Sequence, residues 1–348
     1  MDETTLRELL DDALIHEPPI GPVAHNALQA GIRLRGRRRA QRIAGSMAAL
    51  AVIAATIPVV AQSHSPNAVA PAEAIMYVAA ANGVTPVSTA TNTPGTPIKL
   101  GTQPGSIAIT PDGKTAYIAN LSPATVIPVS TATNTPGKPI KLGGGHTEAI
   151  AITPDGKTAY VVNVLPKETR VIPVSTATNR PGKPINLGGS PATGTAAAIA
   201  ITPDGKTAYV VSVNAAGTTV IPVSTATNTP GQPIRLGDGS ATGPAAAIAI
   251  TPDGKTAYVV SGGAAGTTVI PVSTATNTPG KPIRLGGGSV AGDAAAIAIT
   301  PDGKTAYVAR GARIAGSFGA VIPVSTATNM PGKPIKIGRM PQGIVITP

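Results

Sequence analysis

The side chains of this chain that could do chemistry are few, and they stand out from a repetitive background. His146 and Glu148 lie two positions apart. Imidazole and carboxylate are among the groups that a hydrolytic shell would need. Arg310 and Arg313 precede Phe318, the one Phe in 348 residues, and Arg339 follows. Guanidinium groups near an aromatic ring suit a shallow contact with an anion or a sugar. Lys167, Glu168, Arg170, Asp238 and Asp293 are the remaining large polar residues in comparable loops. Each of these residues taken singly is explained as a solvated loop residue. As a ligand-binding group the sequence points to His146, Glu148, Arg170, Arg310, Arg313, Phe318 and Arg339.

A second set is tempting and reads differently. Asp112, Asp155, Asp204, Asp253 and Asp302 are five copies of one carboxylate, each in a Pro-Asp-Gly-Lys string. Turn chemistry accounts for an Asp there, and each sits beside its own Lys, so no metal site is assigned. The chain has no Cys, which excludes a disulfide framework and a thiolate metal site. One His among the repeats does not make a catalytic shell, so no catalytic residue and no cofactor are assigned.

The elements that must position these residues come from a repeat. The string PDGKTAY begins at Pro111, Pro154, Pro203, Pro252 and Pro301, at intervals of 43, 49, 49 and 49 residues. The string STATN begins at Ser88, Ser130, Ser175, Ser224, Ser273 and Ser325, and the six Tyr fall one per unit. A period in the forties built of short strands reads as propeller blades. In the unit from Ala198, AIAIT alternates at period two and PDGK makes a tight turn. TAYVVS and TTVIPVST follow as strands, ATNTPG turns, and QPIRL is the fourth and shortest strand, with Ile234 and Leu236 inward and Arg235 outward. Four antiparallel strands make one blade. Ala in the first strand keeps side chains small where blades converge on the axis. With few aromatic residues, the core must be built from Ala, Val, Ile and Leu.

The chain ends set the blade count. IVITP at 344–348 is a first strand with no successor, and residues from 74 onward begin at a second strand with no predecessor. Joined, they complete a sixth blade and remove the free edges. The fold class is therefore all-β, a six-bladed β-propeller over 74–348. Its blades run about 107–149, 150–198, 199–247, 248–296 and 297–343, with a composite of 344–348 and 74–106.

The copies also differ in an ordered way. PDGK and STATN-x-PGK hardly change, whereas the loops between strands two and three and between strand four and the next strand one vary. A meander places these two loop sets at one end of every blade. One face of the disc is thus uniform and the other varied. The varied face carries the candidate binding residues. On the outermost strand, Lys99, Lys141, Arg235, Arg284 and Lys336 block edge-to-edge pairing and favour contact with anionic wall polymers. Nucleic acid is not expected, because stacking aromatics are nearly absent.

These motifs carry a resemblance. Tyr160-Val161-Val162-Asn163, Val171-Ile172-Pro173-Val174 with Ser175 to Asn179, and Ile152-Thr153-Pro154-Asp155-Gly156 resemble the YVTN family of β-propeller repeats. The resemblance covers the chain from about residue 74 and implies a propeller. Its relatives include surface-layer proteins and lactonase-like proteins, which makes a lactonase-like hydrolase the alternative to a binding module. The Asn of Tyr-Val-x-Asn stands only at Asn120 and Asn163, with Ser212, Ser261 and Arg310 elsewhere.

Ahead of the repeats the chain changes character. Residues 43–61 carry no charge, and nineteen residues at helical rise span about 28 Å, close to the hydrocarbon thickness. Arg33, Arg35, Arg37, Arg38, Arg39 and Arg42 precede this stretch. The positive-inside rule then keeps 1–42 in the cytoplasm and exports the propeller through a linker at 62–73. The same arginines attract anionic lipid headgroups. A cleaved signal peptide at Val59-x-Ala61 is the competing reading, disfavoured by the 42 residues before the apolar stretch. Leu6, Leu9, Leu10, Ala13 and Leu14 share one face of a short helix, which suits a cytoplasmic protein partner at residues 5–14 and admits a single-pass sensor. The expected protein is a plasma-membrane, single-pass, monomeric propeller. It acts as a non-catalytic binding or scaffold module, with a protein, peptide or glycan of the cell surface as partner.

Overall fold

The chain divides into two compact units, Met1–Val69 and Ala70–Pro348. The computed structural model describes residues 75–80, 83–88, 91–188, 196–214, 217–236, 246–263, 266–285, 294–310 and 319–337, all in the second unit. The cytoplasmic segment with its arginine cluster, the 43–61 stretch and the linker lie outside the described residues. So do the closing strand 344–348 and Asp238, Asp293, Arg313, Phe318 and Arg339. Among the described residues no helix is long and apolar enough to cross a membrane.

The described elements are all strands, arranged in six antiparallel sheets in chain order. We number these blades one to six: 75–99, 104–141, 146–186, 196–235, 246–284 and 294–337. The fold is a six-bladed β-propeller. The first strands of blades two to six lie side by side in sequence around the axis. Blade one shows three strands among the described residues, Ile75–Ala80, Gly83–Ser88 and Ile98–Lys99. They occupy the second, third and outer places, as the sequence predicts for a composite blade. Ile75, Met76 and Val78 of that second strand are exposed.

Local chemistry explains each hairpin. In TPDGKT the Gly takes φ of 71–72° in all five copies, which closes a tight turn before the second strand. The Thr before the Pro joins the two strand ends, as where Thr202 N–H donates to the Thr207 carbonyl at 2.9 Å. In blades two to five the middle of the second strand is apolar because both of its faces are covered. Ala208, Tyr209, Val210 and Val211 are all buried.

The core lies between blades rather than within one. Tyr209, Val211, Val220, Ile234 and Leu236 of blade four pack on Ala257, Val259, Ile270 and Val272 of blade five. The same arrangement recurs at the other described interfaces. Small and β-branched side chains fill the gap between twisted sheets around one buried Tyr per interface at four of them.

The outer strand differs from the expectation of one short strand after the ATNTPG turn. Two residues of that turn, Thr229 and Pro230, already pair with Ser224 and Val223. Ile234 and Arg235 then pair with Val220 and Thr219. Gly231, Gln232 and Pro233 lie between them, and neither Pro230 nor Pro233 has an N–H to donate, so the outer strand is split into two short pieces. Ile234 and Leu236 face inward and Arg235 outward, as predicted.

Candidate functional site

The uniform face is built as a set of interlocks. Each STATN loop ends on an Asn with φ of 54–57°, a left-handed conformation that Asn tolerates better than most side chains. In the loops of blades two to six, that Asn accepts a hydrogen bond from the Tyr hydroxyl of the preceding blade. The pairs are Tyr77–Asn134, Tyr117–Asn179, Tyr160–Asn228, Tyr209–Asn277 and Tyr258–Asn329, at 2.7–2.8 Å. The first Thr of each loop in blades two to six donates to the Gly carbonyl of its own blade's PDGK turn, as Thr225 does to Gly205 at 2.6 Å. One loop thus ties its own hairpin to its neighbour's core. Burial raises the phenol pKa of these five tyrosines, which keeps each hydroxyl protonated as a donor.

The repeated aspartates belong to the same construction. Asp204 Oδ1 accepts from Thr202 Oγ1 at 2.6 Å and from the Lys206 backbone N–H at 3.0 Å, and the Lys206 ammonium lies 3.9 Å from Oδ2. The Thr hydroxyl and then the Lys amide hold all five carboxyls below their ordinary range. Neighbouring copies are closer in space than the sequence suggests: Asp204 and Asp253 line one cavity of about 560 Å³ between blades four and five. Among the described residues no group of three or more His, Cys, Asp or Glu could hold a metal ion.

The varied face is described most fully at blade three. Gly143, Gly144 and Gly145 run with φ of 78°, 91° and 75°, a path that residues with a Cβ do not follow. This loop delivers His146 to the start of the first strand. There the ladder slips one residue between Val162 and Asn163, so Glu148 falls in a bulge. Bulges re-aim a side chain. His146 Nε2 lies 3.0 Å from Glu148 Oε1, with the imidazole 44% and the carboxylate 23% exposed. Burial pushes the Glu148 carboxyl above its usual range, and the imidazole offsets part of that push. The pair can bind a polar ligand or relay a proton.

Arg170 serves this loop rather than the solvent. Its Nη2 donates to the Leu142 and Gly143 carbonyls at 3.1 and 2.9 Å, and its Nε donates to Asn163 Oδ1 at 2.8 Å. Glu168 lies 3.9 Å from Nη1 and accepts from Asn186 Nδ2 at 2.8 Å. Asn163 in turn donates to the Gly144 and His146 carbonyls, both at 3.1 Å. Asn163 is therefore the residue that the sequence reading missed as part of the site. Its signal was present, since only Asn120 and Asn163 keep the Asn of that motif. Arg310 ends the second strand of blade six, across the ring from blade three. The expected group is thus not one cluster among the described residues. His146, Glu148 and Arg170 come together, and Arg310 stands apart from them.

No protein-family model matches the chain. No curated protein sequence matches it either. Among solved structures it is similar to hydrazine synthase of Kuenenia stuttgartiensis, with a TM-score of 0.57 and 24% identity. The match covers 68% of this chain and 66% of that one. The similarity supports the propeller fold.

Proposed function

We propose that this chain is a membrane-anchored, extracytoplasmic propeller of the YVTN type that acts as a non-catalytic binding or scaffold module at the cell surface. The observation that carries this reading is the division of labour between the two faces. Interlocks account for the invariant turns of blades two to six on the uniform face. The polar side chains that occur once in the repeat, His146 and Glu148, stand on the varied face, where a ligand can be told from its competitors. The anchor reading rests on the uncharged 43–61 stretch behind six arginines. Protease treatment of intact cells tests it. Cleavage within 62–73 should release a propeller of about 275 residues and leave 1–42 protected. Protection of the propeller with loss of the N-terminus would place the domain inside and remove the surface role.

One observation favours a second reading, a lactonase-like hydrolase. The His146–Glu148 pair, with its carboxyl pushed up by burial, has the composition of a general acid–base pair. Lactone opening by the full-length protein that disappears in both His146→Ala and Glu148→Gln would replace the binding module with the enzyme. Absence of turnover across a panel of lactones leaves the binding module standing.

A further inference from the structure

The outer circumference of the propeller carries one sign of charge. Its cations are Lys99 in blade one, Lys138 and Lys141 in blade two, Arg180 and Lys183 in blade three, and Arg235 in blade four. Lys281 and Arg284 in blade five and Lys333 and Lys336 in blade six complete the belt. All of them are exposed, and among the described residues none makes an ion pair. The outer segments themselves, from the residue after STATN to the last outer residue, contain no Asp or Glu.

Edge protection does not explain this. Every outer segment already holds two prolines, such as Pro136 and Pro139 or Pro279 and Pro282. Proline removes donors and blocks strand addition by itself. Carboxylates would block pairing equally well, and mixed signs would avoid self-repulsion. Lys138 and Lys141 are three residues apart, about 10 Å along an extended chain, which is close to the screening length in physiological salt. Like charges at that spacing repel, so the uniform sign has a cost that a partner of opposite sign removes. The uniform face shows the contrast. There each of the five PDGK lysines lies 3.7–3.9 Å from its own Asp, and the sum is neutral.

We propose that this belt is a second interaction surface, and that its partner is a flexible anionic glycopolymer. The shape of the charge selects that class. The cations point outward from all six blades, so a flat bilayer could meet only the few blades turned toward it, whereas a flexible chain can follow the rim. Nucleic acid would want stacking platforms, and the outer segments hold no aromatic residue.

The experiment uses full-length protein in uncharged detergent, with Arg33, Arg35, Arg37, Arg38, Arg39 and Arg42 changed to Gln so that this cluster does not bind the probe. The probe is dextran sulfate, with neutral dextran, phosphatidylglycerol vesicles and poly(dT) for comparison. In one variant Lys99, Lys141, Arg235, Arg284 and Lys336 become Gln. In a matched variant Lys114, Lys157, Lys206, Lys255 and Lys304 become Gln, the same change in formal charge. The belt variant should lose about tenfold or more in affinity for dextran sulfate and show a shallower salt dependence, and the face variant about twofold or less. Equal losses in the two variants would mean that net charge alone binds, and the belt would fall. Tighter binding to vesicles or poly(dT) than to dextran sulfate would overturn the glycopolymer. Lysine acetylation of the parent protein provides a check that needs no refolding of variants. Dextran sulfate should protect Lys141, Lys281 and Lys336 and leave Lys157, Lys206 and Lys255 reactive, and uniform protection would sink the proposal.

Discussion

The two faces of this propeller are built on opposite plans. On the PDGK and STATN face, five copies of one Tyr, one Asn, one Thr and one Asp repeat the same contacts, and each contact ties one blade to the next or a turn to its loop. On the varied face of blade three, a glycine run, an Asn brace and a bulge place a His–Glu pair that occurs nowhere else in the repeat. The first face holds its carboxylates below their usual range through hydrogen bonds. The second holds one above it through burial. Invariance among repeats therefore marks the assembly of the ring, and departure from the repeat marks the face for which we propose ligand binding.

The largest test of that contrast is Tyr209→Ala. It removes a fully buried ring and its link to Asn277, and should cost about 3–5 kcal/mol in urea denaturation. His146→Ala on the other face removes a half-exposed imidazole and its contact with Glu148, and should cost no more than about 1 kcal/mol. Equal losses would erase the distinction between the faces.

A finer cut separates the two tasks of the loop Asn. Asn228→Ala strains a left-handed backbone position and removes the nearer acceptor of the Tyr160 hydroxyl, leaving it the Thr225 carbonyl at 3.2 Å, at a cost of about 1–2 kcal/mol. Asn228→Gly should recover the backbone part alone. A Gly variant no more stable than the Ala variant would show that φ contributes nothing.

The faces should also respond to pH with opposite signs. The PDGK aspartates have folded pKa values below their unfolded ones. Their contribution is present above about pH 4, the ordinary carboxylate range, and is lost as pH falls through the lowered values. Glu148 is raised when folded, so stability falls as pH rises through that range and its carboxyl ionises while buried. The interlocking tyrosines are raised too. Their contribution holds below about pH 10 and is lost above it as the donor proton leaves. Melting temperatures followed from pH 2.5 to 11 should show losses at both extremes. Replacing the five aspartates with Asn should flatten the acid limb, and Glu148→Gln should leave that limb intact.

The smallest effect is expected at the PDGK lysines. Lys206→Gln removes an ion pair whose partners are 81% and 56% exposed, and should leave the melting temperature unchanged within error. A clear loss there would give the surface pair a weight that its solvation argues against.

Much of this was written in the chain. The PDG turns, the period-two Ala–Ile strands, the inward Ile and Leu of the outer strand and the six copies of STATN follow from local backbone chemistry. Each residue in them acts on neighbours a few positions away. Glu168 and Arg170 could be picked out as unusual for the same reason. What the chain could not show by itself is which copy meets which. A Tyr and its Asn partner are separated by 57–71 residues, and all copies look alike in sequence. Only the packing of successive blades assigns these five Tyr to the next blade's loop. The same holds at the site. Arg170 reads as a cation available to a ligand, yet packing turns it onto the Leu142 and Gly143 carbonyls. Glu148 reads as a solvated loop residue, yet a slip in strand pairing sets it in a bulge beside His146. Local propensity determined the blades, because turns and alternation act over a few residues. Tertiary structure decided the interlocks and the site, because those depend on strands brought together across the ring.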